Sequence, residues 1–120
     1  MSEHLYKILH ILSVIIIFTS IGGMIAIVSS KEGSPGLKKL FSALHGVGLL
    51  IALIAGFGLM AKLGLNMADN GWITLKIVIW LTVGALLSLI KKKPAMAQTF
   101  LWFSLFLGFA ATFLAITKPF

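Results

Sequence analysis

The sequence predicts an all-α membrane protein, with four transmembrane helices in an up-down bundle. Three observations predict it. Of the 120 residues, 59% are hydrophobic and only 11% are charged, whereas a soluble domain carries about 25% charged side chains. The apolar residues gather into four runs, at 5–28, 40–63, 72–90 and 98–117, and each has roughly the 20 residues a helix needs to cross about 30 Å of hydrocarbon. The links between the runs are short, so consecutive helices must run antiparallel. A chain of 120 residues is then one four-helix domain, 1–120.

Each boundary carries its own chemistry. The first run ends at Lys31-Glu32-Gly33-Ser34-Pro35-Gly36, where charge, Pro and Gly break a helix. It is too long for the apolar stretch of a cleavable signal. The second run closes at Asn66-Met67-Ala68-Asp69-Asn70-Gly71; Asp69 and Asn70 are expected to cap the third helix, and Trp72 to join an aromatic belt at the membrane boundary. The third ends at Lys91-Lys92-Lys93-Pro94 and the fourth at Lys118-Pro119. Strands are disfavoured because the runs are long and show no sustained period of two.

Lysine placement predicts orientation. The first and third loops hold Lys31, Lys38, Lys39, Lys91, Lys92 and Lys93, while the other side holds Lys7, Lys62 and Lys118. The excess belongs in the cytoplasm, which puts both termini on the outer (periplasmic) side. The lysine run is also a contact for anionic lipid. The net charge is +7, yet every cation is Lys, so the forked guanidinium that reads guanine is missing and nucleic acid is not an expected partner. There is no cysteine, which removes disulfides, thiolate nucleophiles and cysteine-ligated metal. No carboxylate lies within a span, which rejects proton-coupled antiport, and no Ser-His-carboxylate arrangement exists for hydrolysis.

The informative residues are the ionisable ones within the spans, because such groups are expensive in lipid. These are His10, His45 and Lys76. Counting from the span ends, His10 and Lys76 lie at matching depth, about 8 Å inside the outer face. His45 lies at a similar depth from the opposite face, roughly 15–20 Å from His10 along the bundle. At 100° per residue, Ser13, Ile17, Ser20 and Met24 share the His10 side of the first helix. Gly48, Ala52 and Gly56 form a small-residue row near the His45 direction, suited to a close helix, a second copy or a flat ligand. Met24 shares the depth of His45 and Met60 that of His10, so thioether ligands are available, though a membrane Met is commonly filler. Imidazole and thioether also suit Cu(I), but the Met and His residues are scattered.

Tyr6-Lys7-Ile8-Leu9-His10 through Val14 and Gly22 resembles the first helix of HemJ-type membrane proteins. Gly71-Trp72-Ile73-Thr74-Leu75-Lys76 is similar to their third. The small SirB-like and CopD-like membrane families share this layout. The SirB-like group fits best: His45 opens the second helix before a Leu-Leu and Gly-rich stretch, and Thr117-Lys118-Pro119 is similar to its tail. The resemblance implies a bacterial inner-membrane protein. For the HemJ-type relatives it also implies haem b at His10 and porphyrinogen oxidase activity, whereas the SirB-like group has no settled biochemical role.

Two functions follow as expectations. The first is a haem-binding or redox-linked membrane protein, with His10 as the iron ligand and Lys76 pairing with a propionate. The second is a non-enzymatic accessory subunit or lipid-packed homo-oligomer, joined to a partner or a larger membrane complex through the Gly48, Ala52 and Gly56 face.

Overall fold

Each apolar run becomes a helix somewhat longer than the run itself. A computed structural model describes residues 2–30 and 33–120, and among them there is no strand. The helices are α1 (Glu3–Ser29), α2 (Pro35–Leu63), α3 (Gly71–Lys92) and α4 (Ala97–Thr117), with a single 3-10 turn, Pro94–Met96, ahead of α4. All four are long and apolar enough to cross a membrane.

Local chemistry sets the ends. Ser2 Oγ accepts from the Leu5 amide at 3.2 Å and starts α1. The second helix begins five residues before its apolar run. Pro35 sits in the first turn, where its missing N–H costs nothing, and Ser34 Oγ accepts from the Leu37 amide at 3.2 Å. Gly64 closes α2 at φ 67, a left-handed conformation open to glycine without strain, and the Leu65 amide donates to the Met60 carbonyl at 2.9 Å.

The start of α3 departs from expectation. Asn70 occupies the cap position but makes no capping bond. Its Oδ1 instead accepts from the Trp72 indole at 3.3 Å, while its amide donates to the Asn66 carbonyl at 2.8 Å. Asp69 does not cap either: its carboxylate accepts from the Asn66 side chain at 3.0 Å. The loop residues satisfy one another, and Trp72 competes successfully for the oxygen that a cap would use. Trp72 itself is buried, 8% exposed. It turns into the bundle and does not join a boundary belt.

The tightest pair is α1 with α2, packed antiparallel through glycines. The Phe41 ring lies over Gly23, Ile17 over Gly48, His10 beside Gly56 and the Tyr6 ring over Gly58. The face Ser13, Ile17, Ser20 and Met24 is buried as its periodicity requires. Both serines bond back to their own helix, Ser13 to the His10 carbonyl and Ser20 to that of Ile16, so neither hydroxyl is orphaned in an apolar interior. Because α1 occupies Gly48, that row is not open to a second copy of the chain. The homo-oligomer face expected from the sequence is consumed inside the molecule.

The main core lies toward the end that carries the first and third loops, where Ile21, Met24, Leu86 and Ile90 are fully buried. Phe18 against Gly108 joins α1 to α4. The Trp80 indole donates to the Leu49 carbonyl at 3.0 Å and joins α3 to α2. Among the described residues the α2 and α4 backbones stay apart.

Candidate functional site

Toward the other end, which carries both termini, Trp72, Ile73 and Leu114 form a second apolar cluster, against which Met60 and Leu65 pack. Glycines hold α1 to α2. The α4 tail holds to the start of α3: the Lys118 ammonium lies 5.6 Å from the centre of the Trp72 ring, and the Phe120 ring lies over Gly71, where a Cβ would stand 2.8 Å away. This return of the chain places Lys118 at φ 46. That left-handed conformation costs a non-glycine residue about 1 kcal/mol. Residues of all four helices line a cavity of about 590 Å³ at this end, within the range of small-molecule sites.

His10 and Lys76, which the sequence places at one depth, both line this cavity. His10 is half-buried, and its Nδ1 lies 3.2 Å from the Ala52 carbonyl oxygen. A carbonyl only accepts, so this bond puts a proton on Nδ1, and in the neutral ring Nε2 then keeps its lone pair. The ring lies against α2 at Gly56, where a Cβ would stand 3.5 Å from His10 Cε1 in ordinary contact. A histidine whose Nδ1–H is anchored by backbone is oriented as metal-ligating imidazoles are.

The charge in the cavity wall is all of one sign. Lys7 of α1, Lys76 of α3 and Lys118 at the end of α4 line it, and among the described residues no carboxylate does. The single ion pair among the described residues joins Lys7 to Glu3 at 3.8 Å, and both side chains are substantially exposed. Such a surface pair contributes little. Lys76 makes no ion pair or hydrogen bond among the described residues and faces mostly apolar walls that include Ile73, Ile77 and Trp80. Met60 also lines the cavity.

His45 and Met24 lie elsewhere. Met24 is fully buried in the main core. His45 is 3% exposed, and among the described residues neither ring nitrogen has a hydrogen-bond partner. Among the described residues no three acidic or histidine side chains cluster to hold a bare metal ion.

Three residues of the cavity escape a reading of the sequence. Lys7 stands one turn from His10 on the same helix face, and that spacing was the available signal. Trp72 reads as a boundary residue until the loop turns it inward. Lys118 follows the last helix, and nothing in the local sequence says that the tail folds back over α3. Comparison with family models, with curated proteins and with solved structures finds no match to this chain.

Proposed function

We propose that this chain is a multi-pass protein of the bacterial inner membrane that holds haem b in the cavity at the end of its bundle that carries the termini, with His10 as the iron ligand. The observation that carries this reading is the His10 bond to Ala52. It leaves the Nε2 of the neutral ring without a proton, in a residue that lines an apolar cavity whose charged residues, among those described, are all cationic. Haem b has the matching chemistry: an apolar macrocycle, an iron that takes a neutral imidazole, and two carboxylates. His10 would hold the iron, and Lys76, with Lys7 and Lys118, would face the propionates, where charge-assisted bonds are favoured by the scarcity of water. Met60 is the thioether on the same wall. When bound, haem supplies one-electron redox chemistry, and the protein supplies position and electrostatics. The likeness of the Lys7–His10 and Gly71–Lys76 segments to HemJ-type proteins supports the same ligand. The lysine distribution supports termini on the outer side, which puts the cavity in the outer half of the bilayer.

The test is the absorbance of protein purified after haem-supplied expression. A Soret band is expected, abolished by His10→Ala and weakened by Lys76→Ala with loss of cofactor on washing. No band in the wild type, or a band that survives His10→Ala unchanged, overturns the reading and leaves a non-enzymatic packing subunit.

A further inference from the structure

The cavity has an opening whose level in the bundle is fixed by the α1–α4 register. Phe18 packs on Gly108, where a Cβ would stand 3.2 Å from the ring. The two helices run antiparallel from this contact, so each residue moved back along α1 is matched by one forward along α4. Ile11, seven residues and about 10 Å toward the termini, therefore stands near the level of Ile116, eight residues and about 12 Å along, and Lys7 and Lys118 both lie beyond them, about 15–16 Å from the contact. Ile11 and Ile116 both line the cavity, yet they are 61% and 77% exposed. Side chains that face both a cavity and the outside mark the edges of a gap. Ile11 lies eight residues into α1, about 12 Å from its start, so the gap lies at the depth of acyl chains and not of water. Its upper edge is cationic on both sides.

We propose that the cavity loads from the bilayer through this window between α1 and α4, and that it takes amphiphiles with an apolar body and a carboxylate head, the head resting between Lys7 and Lys118. The proposal rests on the preceding section only in taking the cavity as a ligand site; it does not require iron. The Lys118 backbone supports it. A lysine at a helix end normally reaches outward to the headgroups, but here the left-handed turn and the Trp72 ring hold the ammonium at the cavity rim. A neutral head accepts only an ordinary hydrogen bond from these two cations, whereas a carboxylate gains the stronger bonds of a pair in which both partners are charged.

Trp72 and Trp80 line the cavity and the third tryptophan, Trp102, is 65% exposed on α4, so Trp102→Phe leaves two internal reporters. The full chain carrying this substitution is reconstituted in phosphatidylcholine vesicles and titrated with dibrominated stearic acid or its methyl ester, which share a tail. The acid should quench saturably with about tenfold higher affinity than the ester, which corresponds to about 1.4 kcal/mol. Lys7→Gln with Lys118→Gln should remove that difference. Independently, Ile11→Cys and Ile116→Cys, bridged by a short bis-maleimide in this cysteine-free chain, should slow quenching at least tenfold relative to either single variant. Equal quenching by acid and ester, or an unchanged rate after bridging, overturns the proposal. Saturable quenching without a Soret band refutes haem alone. A Soret band without quenching refutes the window and the carboxylate rule alone.

Discussion

Replacing Gly48 by alanine puts a methyl group where the α1–α2 contact has no space for one. The new Cβ would stand 2.9 Å from Ile17 Cγ1, 3.1 Å from Ile16 Cγ2 and 3.3 Å from the Ser13 carbonyl oxygen. Two of these neighbours are β-branched side chains with few rotamers in a helix and the third is backbone, so α1 must shift as a body. Overpacking of this kind costs about 1–3 kcal/mol. The better helix propensity of alanine returns at most about 1 kcal/mol, and less where the unfolded reference remains helical in detergent. The net loss is then about 1–2 kcal/mol, roughly a 5- to 30-fold change in the folded-to-unfolded ratio. Gly46 is the internal control. It lies two residues away on an exposed face, with nothing within 4 Å of its added Cβ, so Gly46→Ala should leave stability unchanged or raise it by up to about 1 kcal/mol. Unfolding in mixed dodecylmaltoside–SDS micelles, followed by tryptophan fluorescence, compares the two directly. If both variants shift together, or if Gly48→Ala is no less stable than wild type, the α1–α2 glycine contact described here is wrong.

Two further outcomes are expected. Lys118→Gly relieves the left-handed strain of about 1 kcal/mol while losing a cation–π contact of similar size, so it should be near neutral. Lys118→Ala keeps the strain and loses the contact, and should unfold about 1 kcal/mol more readily than the glycine variant in the same micelle assay; equal stabilities would mean that the tail does not adopt this turn. For orientation, Ser34→Cys and Asn66→Cys should react with a membrane-impermeant maleimide from opposite sides, Asn66→Cys from the periplasm. Labelling of Asn66→Cys from the cytoplasmic side would reverse the assignment.

The composition by itself determined the class of molecule and its four helices, because the length and apolarity of a span are local properties of the chain. The buried face of α1 was also legible, since Ser13, Ile17, Ser20 and Met24 follow the helical period and are inward. So was the matching depth of His10 and Lys76, which needs only a count of residues and a fixed rise. The pairing partners were not legible. Gly48 reads equally well as a surface for a second copy or for a neighbour in the same chain, and only the antiparallel register of α1 with α2 decides it. That register also brings the Ala52 carbonyl to His10, which puts a proton on Nδ1 and, in the neutral ring, leaves Nε2 its lone pair. The inward turn of Trp72 depends on Asn70 accepting from the indole instead of capping α3, a competition between two donors for one oxygen that propensity does not resolve. Lys118 reaches the cavity because α4 ends beside the start of α3. Helix length and hydropathy act along the chain, whereas cavity walls are made where elements distant in sequence meet, and there side-chain shape and hydrogen-bond competition select one arrangement among many that the same spans would allow.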